Sequence, residues 1–250
     1  MEKITSVKNP LIARLRALKG AKARRETGLF LVEGETMLME ALCSGLVPHA
    51  LLSEEETALA ARFPEARLVT RGVLEAVCDT KTPQGMCAAF ELPGPWSLEN
   101  APDALVALDG VQDPGNVGTI WRTADAAGFG GLLLGAGCAD PYSPKVQRAA
   151  MGSGFRLPAI AAEPLAEALQ TLRARGWKVA ASALDGADFY ARPPLGGRFI
   201  LVIGSEAHGI SDAVRAQADA LVKLPMRGKA ESLNAAVAAG IMMYEMMRER

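Results

Sequence analysis

The chain has 250 residues, of which 50% are hydrophobic and 22% charged, a composition typical of a globular protein with one or two cores. The last apolar run, at 235–243, is too short to span a bilayer, and the first ten residues lack an apolar signal core, so we expect a cytoplasmic protein without membrane segments. Its four cysteines are scattered without a C-x-x-C pair and it has only two histidines, which disfavours disulfides, structural zinc and other metal sites.

The formal net charge of −1 conceals an uneven distribution. Residues 1–30 carry eight cations against two anions, so the rest of the chain has a net charge of −7. A basic end on an otherwise acidic protein favours contact with a polyanion, above all a nucleic acid. The alternative is a solvated amphipathic helix, since Leu11, Leu15 and Leu18 give this segment an apolar stripe. The cations that we expect to contact the polyanion are Arg14, Arg16, Arg24 and Arg25.

Helices and strands alternate over the first 95 residues. Asn9-Pro10 begins a helix that Gly20 ends. The elements that follow are predicted as a strand at 29–32, a helix at 36–43, a strand at 47–52, a helix at 54–62, a strand at 66–70, a helix at 72–78 and a strand at 86–92. This alternation predicts a small α/β domain over residues 1–95. A proline-rich stretch without apolar periodicity follows, and we assign residues 96–103 as a linker.

Strands at helix-length intervals continue from 104 to 250. They are predicted at 105–108, 131–134, 157–161, 177–182, 201–203 and 221–224, and the main helices at 116–127, from 143, at 164–175 and after 234. This spacing predicts a second domain of α/β class, with a parallel sheet covered by helices on both faces. The strands at 201–203 and 221–224 break at glycine- and proline-containing loops, which predicts a backbone-lined ligand pocket at the carboxyl ends of the sheet.

Three polar clusters follow the predicted strands. The first is Asn116 to Arg122, where Asn116 fits a helix N-cap and the helix start could bind an anion; six residues is about 600° of helix, so the two side chains do not share a face. The second is Glu206, between Gly204 and Gly209, and the third is Ser232-Leu-Asn234 before the last helix. Each has a plainer explanation: an ordinary cap with a surface arginine, a turn with a solvated glutamate, and Ser232 as an N-cap.

A dinucleotide-binding loop is disfavoured. Gly135-Ala-Gly137 follows a predicted strand, but the glycine fingerprint requires a third glycine where the chain has Asp140, and Pro141 interferes with the helix that should open there. A nicotinamide oxidoreductase is therefore a distant alternative.

Taken together, the polar clusters resemble a known family. Asn116-x-Gly-x-x-x-Arg122, Gly204-x-Glu206-x-x-Gly209 and Pro225-Met-x-Gly228-x-x-x-Ser232-Leu-Asn234 match, in order and spacing, the three motifs of the SpoU (TrmH-like) RNA ribose 2′-O-methyltransferases of the SPOUT superfamily. The resemblance covers about residues 104–247. The first domain is similar to the family's ribosomal-protein-like substrate-binding domain, and the segment 82–85, Thr-Pro-Gln-Gly, supports that match.

The resemblance implies a SPOUT domain with a deep trefoil knot, bound S-adenosyl-L-methionine, and an obligate homodimer whose site uses residues of both chains. Positions implied to bind the cofactor are Ser182, Ile203, Gly204, Leu224, Met226 and Leu233, where Ser182 replaces the family's more frequent threonine. Positions implied to be catalytic are Asn116, Arg122, Glu206, Ser232 and Asn234.

The implied reaction is attack of a ribose 2′-hydroxyl on the methyl group of a sulfonium. The family proposal makes the arginine, here Arg122, the proton acceptor, but an arginine side chain is normally always protonated. We hypothesise instead that Arg122 grips the phosphate beside the target ribose, while Glu206 and Ser232 orient it and Asn116 and Asn234 shape the ribose site. We expect ribosomal rather than transfer RNA as the substrate; a non-catalytic RNA-binding or assembly factor with the same fold is the alternative of another class.

Overall fold

The computed structural model describes residues 3–94 and 97–250. Residues 95 and 96, where the predicted first domain ends and the predicted linker begins, lie outside the described residues, as do the first two residues of the basic end. The strands are β1 (Leu29–Glu33), β2 (Pro48–Ser53), β3 (Ala66–Leu68), β4 (Met86–Glu91), β5 (Ala104–Asp109), β6 (Gly131–Leu134), β7 (Ala159–Ala161), β8 (Lys178–Asp188), β9 (Phe199–Gly204) and β10 (Ala220–Lys223). The helices are α1 (Pro10–Ala17), α2 (Ala21–Thr27), α3 (Glu35–Cys43), α4 (Arg71–Val77), α5 (Pro114–Ala127), α6 (Pro144–Ala150), α7 (Leu165–Ala174), α8 (Asp212–Arg215) and α9 (Ala235–Arg248).

The described residues form two compact units. The first consists of the described residues up to Gly94 together with Tyr142–Phe155. The second consists of residues 97–141 together with Arg156–Arg250. Helix α6 was expected in the second domain, yet its segment groups with the first unit, where Tyr142 and Phe155 stack against Phe30 at ring-centroid distances of 5.3 and 6.2 Å. No helix within the described ranges is long and apolar enough to cross a membrane.

The first unit is a four-stranded mixed sheet in the order β1-β4-β2-β3. Side chains alternate across it, so that in β1 Leu31 faces one apolar cluster while Phe30 and Val32 face the other. Helices α1 and α4 cover the first face, and α3 covers the second. Both faces are therefore buried, as the predicted α/β layering requires.

Two predictions for this unit were wrong. The helix expected at 54–62 is only a 3-10 turn at Ala60–Arg62, because the hydroxyl of Ser53 donates to the Glu55 carbonyl (2.6 Å) and that of Thr57 accepts from the Ala60 N–H (3.1 Å). Such local side-chain bonds compete with helix formation. A second helix, α2, was also missed, and it follows directly after Gly20.

The second unit is a six-stranded sheet in the order β10-β8-β9-β5-β6-β7, with every pair parallel. Its strands β5, β6 and β9 are apolar runs buried on both faces. Helices α7 and α8 pack on one face of the sheet. The other carries α5 and α9, which contact each other. From β5 the chain adds β6 and then β7 on one side. It then crosses to the other side of β5, where it forms β8 and places β9 between β8 and β5. This reversal makes the carboxyl ends of β5 and β9 a switch point, where α/β sheets bind ligands.

The segment predicted as the linker is attached to the second unit. The guanidinium of Arg175 donates to the carbonyl groups of Leu98 and Glu99, and the Trp177 indole N–H donates to the Pro102 carbonyl at 3.0 Å. The Leu98 side chain packs, together with Ala101, on the core of that unit. Residues 98–102 are thus part of this unit rather than a free connection.

Candidate active site

The loops that carry two of the predicted motifs leave the sheet side by side. Asp109, the last residue of β5, pairs with Gly204, the last residue of β9. After β5 the chain enters α5, and after β9 it forms a tight turn at 205–209. Asn116 and Glu206 are therefore brought to one place at the switch point, although they lie 90 residues apart in sequence.

The start of α5 is fixed by a cap one turn earlier than predicted. Asp113, not Asn116, is the N-cap; its carboxylate accepts the Asn116 N–H at 2.8 Å, and Pro114 occupies the first helical position. Since the cap is supplied by Asp113, the Asn116 side chain is free to make contacts outside the helix.

The side chain of Asn116 joins two other predicted catalytic residues. Its amide nitrogen donates to the Glu206 carboxylate, and its amide oxygen accepts from the Asn234 amide at 2.9 Å. Asn234 is also the N-cap of α9, since its side-chain oxygen accepts the N–H groups of Ala236 (2.9 Å) and Val237 (3.3 Å). The plainer explanation considered for Ser232, that it caps this helix, was wrong. Asn116 thus connects the β9 loop with the start of α9.

The turn that carries Glu206 needs the glycine before it. Ser205 and Gly209 exchange two backbone hydrogen bonds of 2.9 Å, which folds the turn back on itself. A Cβ atom added at Gly204 would collide with the backbone of Gly209 and Ile210. Only glycine allows this close approach, and the chain can then return beside the strand end.

Two predicted catalytic residues do not join this cluster within one chain. Arg122 lies on the exposed side of α5, and its side chain makes neither a hydrogen bond nor an ion pair with the described residues. Ser232 is exposed and likewise makes no hydrogen bond within the described part of the chain. The subunit therefore joins Asn116, Glu206 and Asn234 by hydrogen bonds and does not bond Arg122 to any of them.

The predicted cofactor positions lie at the carboxyl ends of three adjacent strands. Ile203 and Gly204 end β9, Leu224 follows β10, and Ser182 lies in β8, where the pairing with β10 jumps from Ala181 to Ala187. Leu224 is buried and Met226 half-buried, whereas Leu233 is 38% exposed. Strand order thus brings four of the predicted cofactor positions, Ser182, Ile203, Gly204 and Leu224, to three adjacent strands.

The predicted RNA-binding arginines divide into two groups. Arg14, Arg16 and Arg25 are exposed on α1 and α2. Arg24 is 4% exposed, and its guanidinium donates to the carbonyl groups of Leu18 (2.6 Å) and Lys19 (2.8 Å) at the end of α1. Arg24 holds two helices together, so we remove it from the predicted RNA-contacting set.

Comparison with known proteins agrees with this geometry. Residues 103–244 match the SpoU rRNA Methylase family, and residues 9–88 match the MRM3-like substrate binding domain. The chain belongs to the SpoU rRNA methylase family. It is 36% identical to the 23S rRNA (guanosine(2553)-2'-O)-methyltransferase RlmP of Bacillus subtilis, over 98% of this chain and 99% of that protein. The predicted family is confirmed.

Solved structures of SpoU methylases have the same fold. An AdoMet-bound rRNA methyltransferase from Sinorhizobium meliloti superposes with a TM-score of 0.89 at 35% identity, over 99% of this chain and 98% of that chain. The SpoU methyltransferase AviRb from Streptomyces viridochromogenes, in complex with AdoMet, superposes with a TM-score of 0.87 at 30% identity, over 97% and 98%. The predicted α/β class with a parallel, helix-covered sheet is confirmed.

The β10–α9 loop of this SpoU methylase fits the predicted cofactor. Within the described chain, the backbone groups of residues 225–233 form no hydrogen bonds with other backbone groups. Such a loop offers unpaired N–H and C=O groups to the polar edge of an adenine and to an amino-acid carboxylate. The residues present therefore suit S-adenosylmethionine held mainly by backbone contacts.

Proposed function

We propose that this protein transfers a methyl group from S-adenosylmethionine to a ribose 2′-hydroxyl of ribosomal RNA. The family and the relatives confirm the predicted reaction class and cofactor. The observation that carries the assignment to this chain's own residues is the hydrogen-bonded set Asn116, Glu206 and Asn234, gathered from three distant motifs. A ribosomal substrate, and a cytoplasmic location where ribosomes are found, are supported by the relatives named as 23S rRNA methyltransferases.

The chain's contribution to the reaction is alignment. The cofactor, when bound, supplies the activated methyl group, so the protein must hold the ribose oxygen in line with it. Asn116 and Asn234 are already oriented by their mutual hydrogen bond, and this preorganisation lowers the cost of fixing the ribose. Glu206 orients Asn116 by accepting its amide N–H.

We assign Arg122 to the RNA phosphate beside the target ribose. A guanidinium presents paired N–H donors that match phosphate oxygens. Its exposure, and its lack of a partner among the described residues, leave this donor set free for a ligand. Ser232, also exposed, is proposed to orient the Arg122 side chain of the other subunit.

The site is complete only in a homodimer. One side of α5 exposes Thr119, Arg122 and Ala126, and α9, which packs beside it, exposes the apolar side chains of Val237 (51%), Ile241 (39%) and Tyr244 (55%). An apolar helix stripe of this kind is typical of a surface that another protein covers. A second copy seated there would bring each Arg122 to the loops of the other chain.

Two further parts of the proposal concern the chain as a whole. We place RNA binding on residues 1–95, where Arg14, Arg16 and Arg25 are exposed, and methyl transfer on residues 104–250. We also propose that the second domain contains the deep trefoil knot of the SPOUT superfamily. The return of the chain to insert β9 between β5 and β8 supports this.

The experiment that tests the function compares ribosomal RNA from cells with and without this protein by mass spectrometry of 2′-O-methyl nucleosides. Loss of one mark, restored by the wild-type gene, is the expected result. Arg122→Lys should not restore it, because an ammonium cannot replace the guanidinium fork, whereas Arg198→Lys, at the amino end of the sheet, should. If the ribosomal marks are unchanged and the protein binds RNA but not S-adenosylmethionine, it is a non-catalytic RNA-binding factor. If a transfer-RNA mark is lost instead, the substrate is transfer RNA.

A further inference from the structure

The end of strand β5 contacts the Glu206-carrying loop at three points. Asp109 pairs with Gly204 in the strand ladder, where that loop begins. Gly110 passes beside Ser205, so that a Cβ added at Gly110 would lie 3.7 Å from the Ser205 Cβ. The Asp109 carboxylate then accepts the backbone N–H of Ser211 at 2.6 Å, where the loop ends.

The third contact spans 102 residues of sequence and closes the loop. Between its two ends, Glu206 accepts the Asn116 amide N–H, which is the contact that the loop has to reach. The other bonds printed for the described residues of the loop are short-range: the Ser205–Gly209 pair and a hydrogen bond of 3.1 Å from the His208 N–H to the Ser205 hydroxyl. These bonds fix the shape of the turn but not its position on the sheet. The position of Glu206 relative to Asn116 depends on how both loop ends are attached to β5.

We propose that Asp109 is a positioning residue for methyl transfer: by binding the Ser211 N–H, it holds the loop so that Glu206 reaches Asn116 and Gly204 faces the cofactor. This rests on the proposed function of the loop. A hydrogen bond to a charged acceptor is stronger than one to a neutral acceptor. Asp109 acts through the loop and contacts neither the RNA nor the cofactor.

The test uses the whole chain of 250 residues, four single variants and one double variant. Asp109→Ala removes the acceptor, and Asp109→Asn keeps an oxygen in its place. Ser211→Pro removes the donor from the other side, and the backbone φ of −68° at Ser211 already suits proline. Asp103→Ala is the matched control, since Asp103 precedes the same strand at its other end and pairs with Arg198 and Arg250.

Each variant is assayed for S-adenosylmethionine affinity by calorimetry, for turnover on ribosomal RNA, for RNA affinity and for melting temperature. Asp109→Ala and Ser211→Pro should each lower cofactor affinity and turnover, with kcat/KM falling about 10- to 100-fold, the range for losing one charged hydrogen bond. RNA affinity should stay the same. Asp109→Asn, which keeps a neutral acceptor, should recover part of the loss. Asp109→Ala combined with Ser211→Pro should be no worse than either alone.

The inference is overturned if the wild-type protein is fully active in the assay and Asp109→Ala turns over as fast as Asp103→Ala. It is equally overturned if Asp109→Asn is as impaired as Asp109→Ala, because an acceptor oxygen at this position would then contribute nothing to positioning the loop. If Asp109→Ala does not fold, Ser211→Pro decides the matter by the same criteria. A wild-type protein that binds no S-adenosylmethionine would refute the proposed function instead, so the two failures are distinguishable.

Discussion

The contact between Asn116 and Glu206 can be tested by reversing its donor and acceptor. In Asn116→Asp the amide donor is lost and two carboxylates face each other, while the oxygen that accepts from Asn234 is kept. A hydrogen bond to a charged group contributes about 1.5–3 kcal/mol, and Glu206 is exposed, so we expect the lower end, about 1–2 kcal/mol of lost stability. For a chain of this size that corresponds to a fall in melting temperature of roughly 2–8 °C.

Adding Glu206→Gln to Asn116→Asp restores a donor opposite the new carboxylate. The double variant should therefore regain most of the lost stability, with a coupling energy of about 1–2 kcal/mol in a double-mutant cycle. Urea unfolding of the wild type, both single variants and the double variant measures it. If the loss of stability in the double variant equals the sum of the losses in the two single variants, the orientation of the Asn116 amide is refuted. Turnover is not the readout, because Glu206 belongs to the proposed site.

Three further predictions concern the dimer, the RNA surface and the buried thiols. Ile241→Glu places a charge in the apolar stripe of α9 and should give monomers in analytical ultracentrifugation, with loss of methyl transfer; a stable, active dimer would contradict the proposed interface. Replacing Arg14 and Arg16 by alanine should reduce the slope of log K against log salt for RNA binding by about 2, whereas an unchanged slope would remove α1 from the contact. The hydrogen bond with Cys78, together with burial, raises the pKa of the Cys87 thiol, so less of its thiolate forms at pH 8. Iodoacetamide should therefore label the exposed Cys43 before Cys87. Equal labelling rates of the two cysteines, followed by mass spectrometry, would contradict this, and unfolded protein is the control.

The strands were the most predictable part of the fold. In the second unit β5, β6 and β9 are apolar runs buried on both faces, and hydrophobicity alone indicates such runs, as at 105–108 and 201–203. The helices depended more on local side-chain bonds. The segment at 54–62 has helix-compatible residues, yet the Ser53 and Thr57 hydroxyls bind the backbone there. Apolar periodicity gives no information about such competition.

The candidate site shows the same limit. The motif spacing identified Asn116, Glu206 and Asn234, and these side chains do meet, but both helix caps were placed two or three residues from their true positions, Asp113 and Asn234. Burial of Arg24 could not be predicted, because an arginine in a basic segment looks like its exposed neighbours until the ends of α1 and α2 are packed. Asp109 gave no signal beyond a carboxylate at a strand end, since its partner lies 102 residues away.

The attachment of residues 98–102 determines where this protein can be divided. Starting an isolated methyltransferase domain at 104, the boundary indicated by the sequence, would delete Leu98 and Ala101 and expose the apolar surface that they cover. It would also leave the indole N–H of Trp177 without its acceptor at Pro102. A shortened protein for crystallisation or domain exchange should therefore retain everything from Ser97 onward, and a version lacking those residues is expected to aggregate.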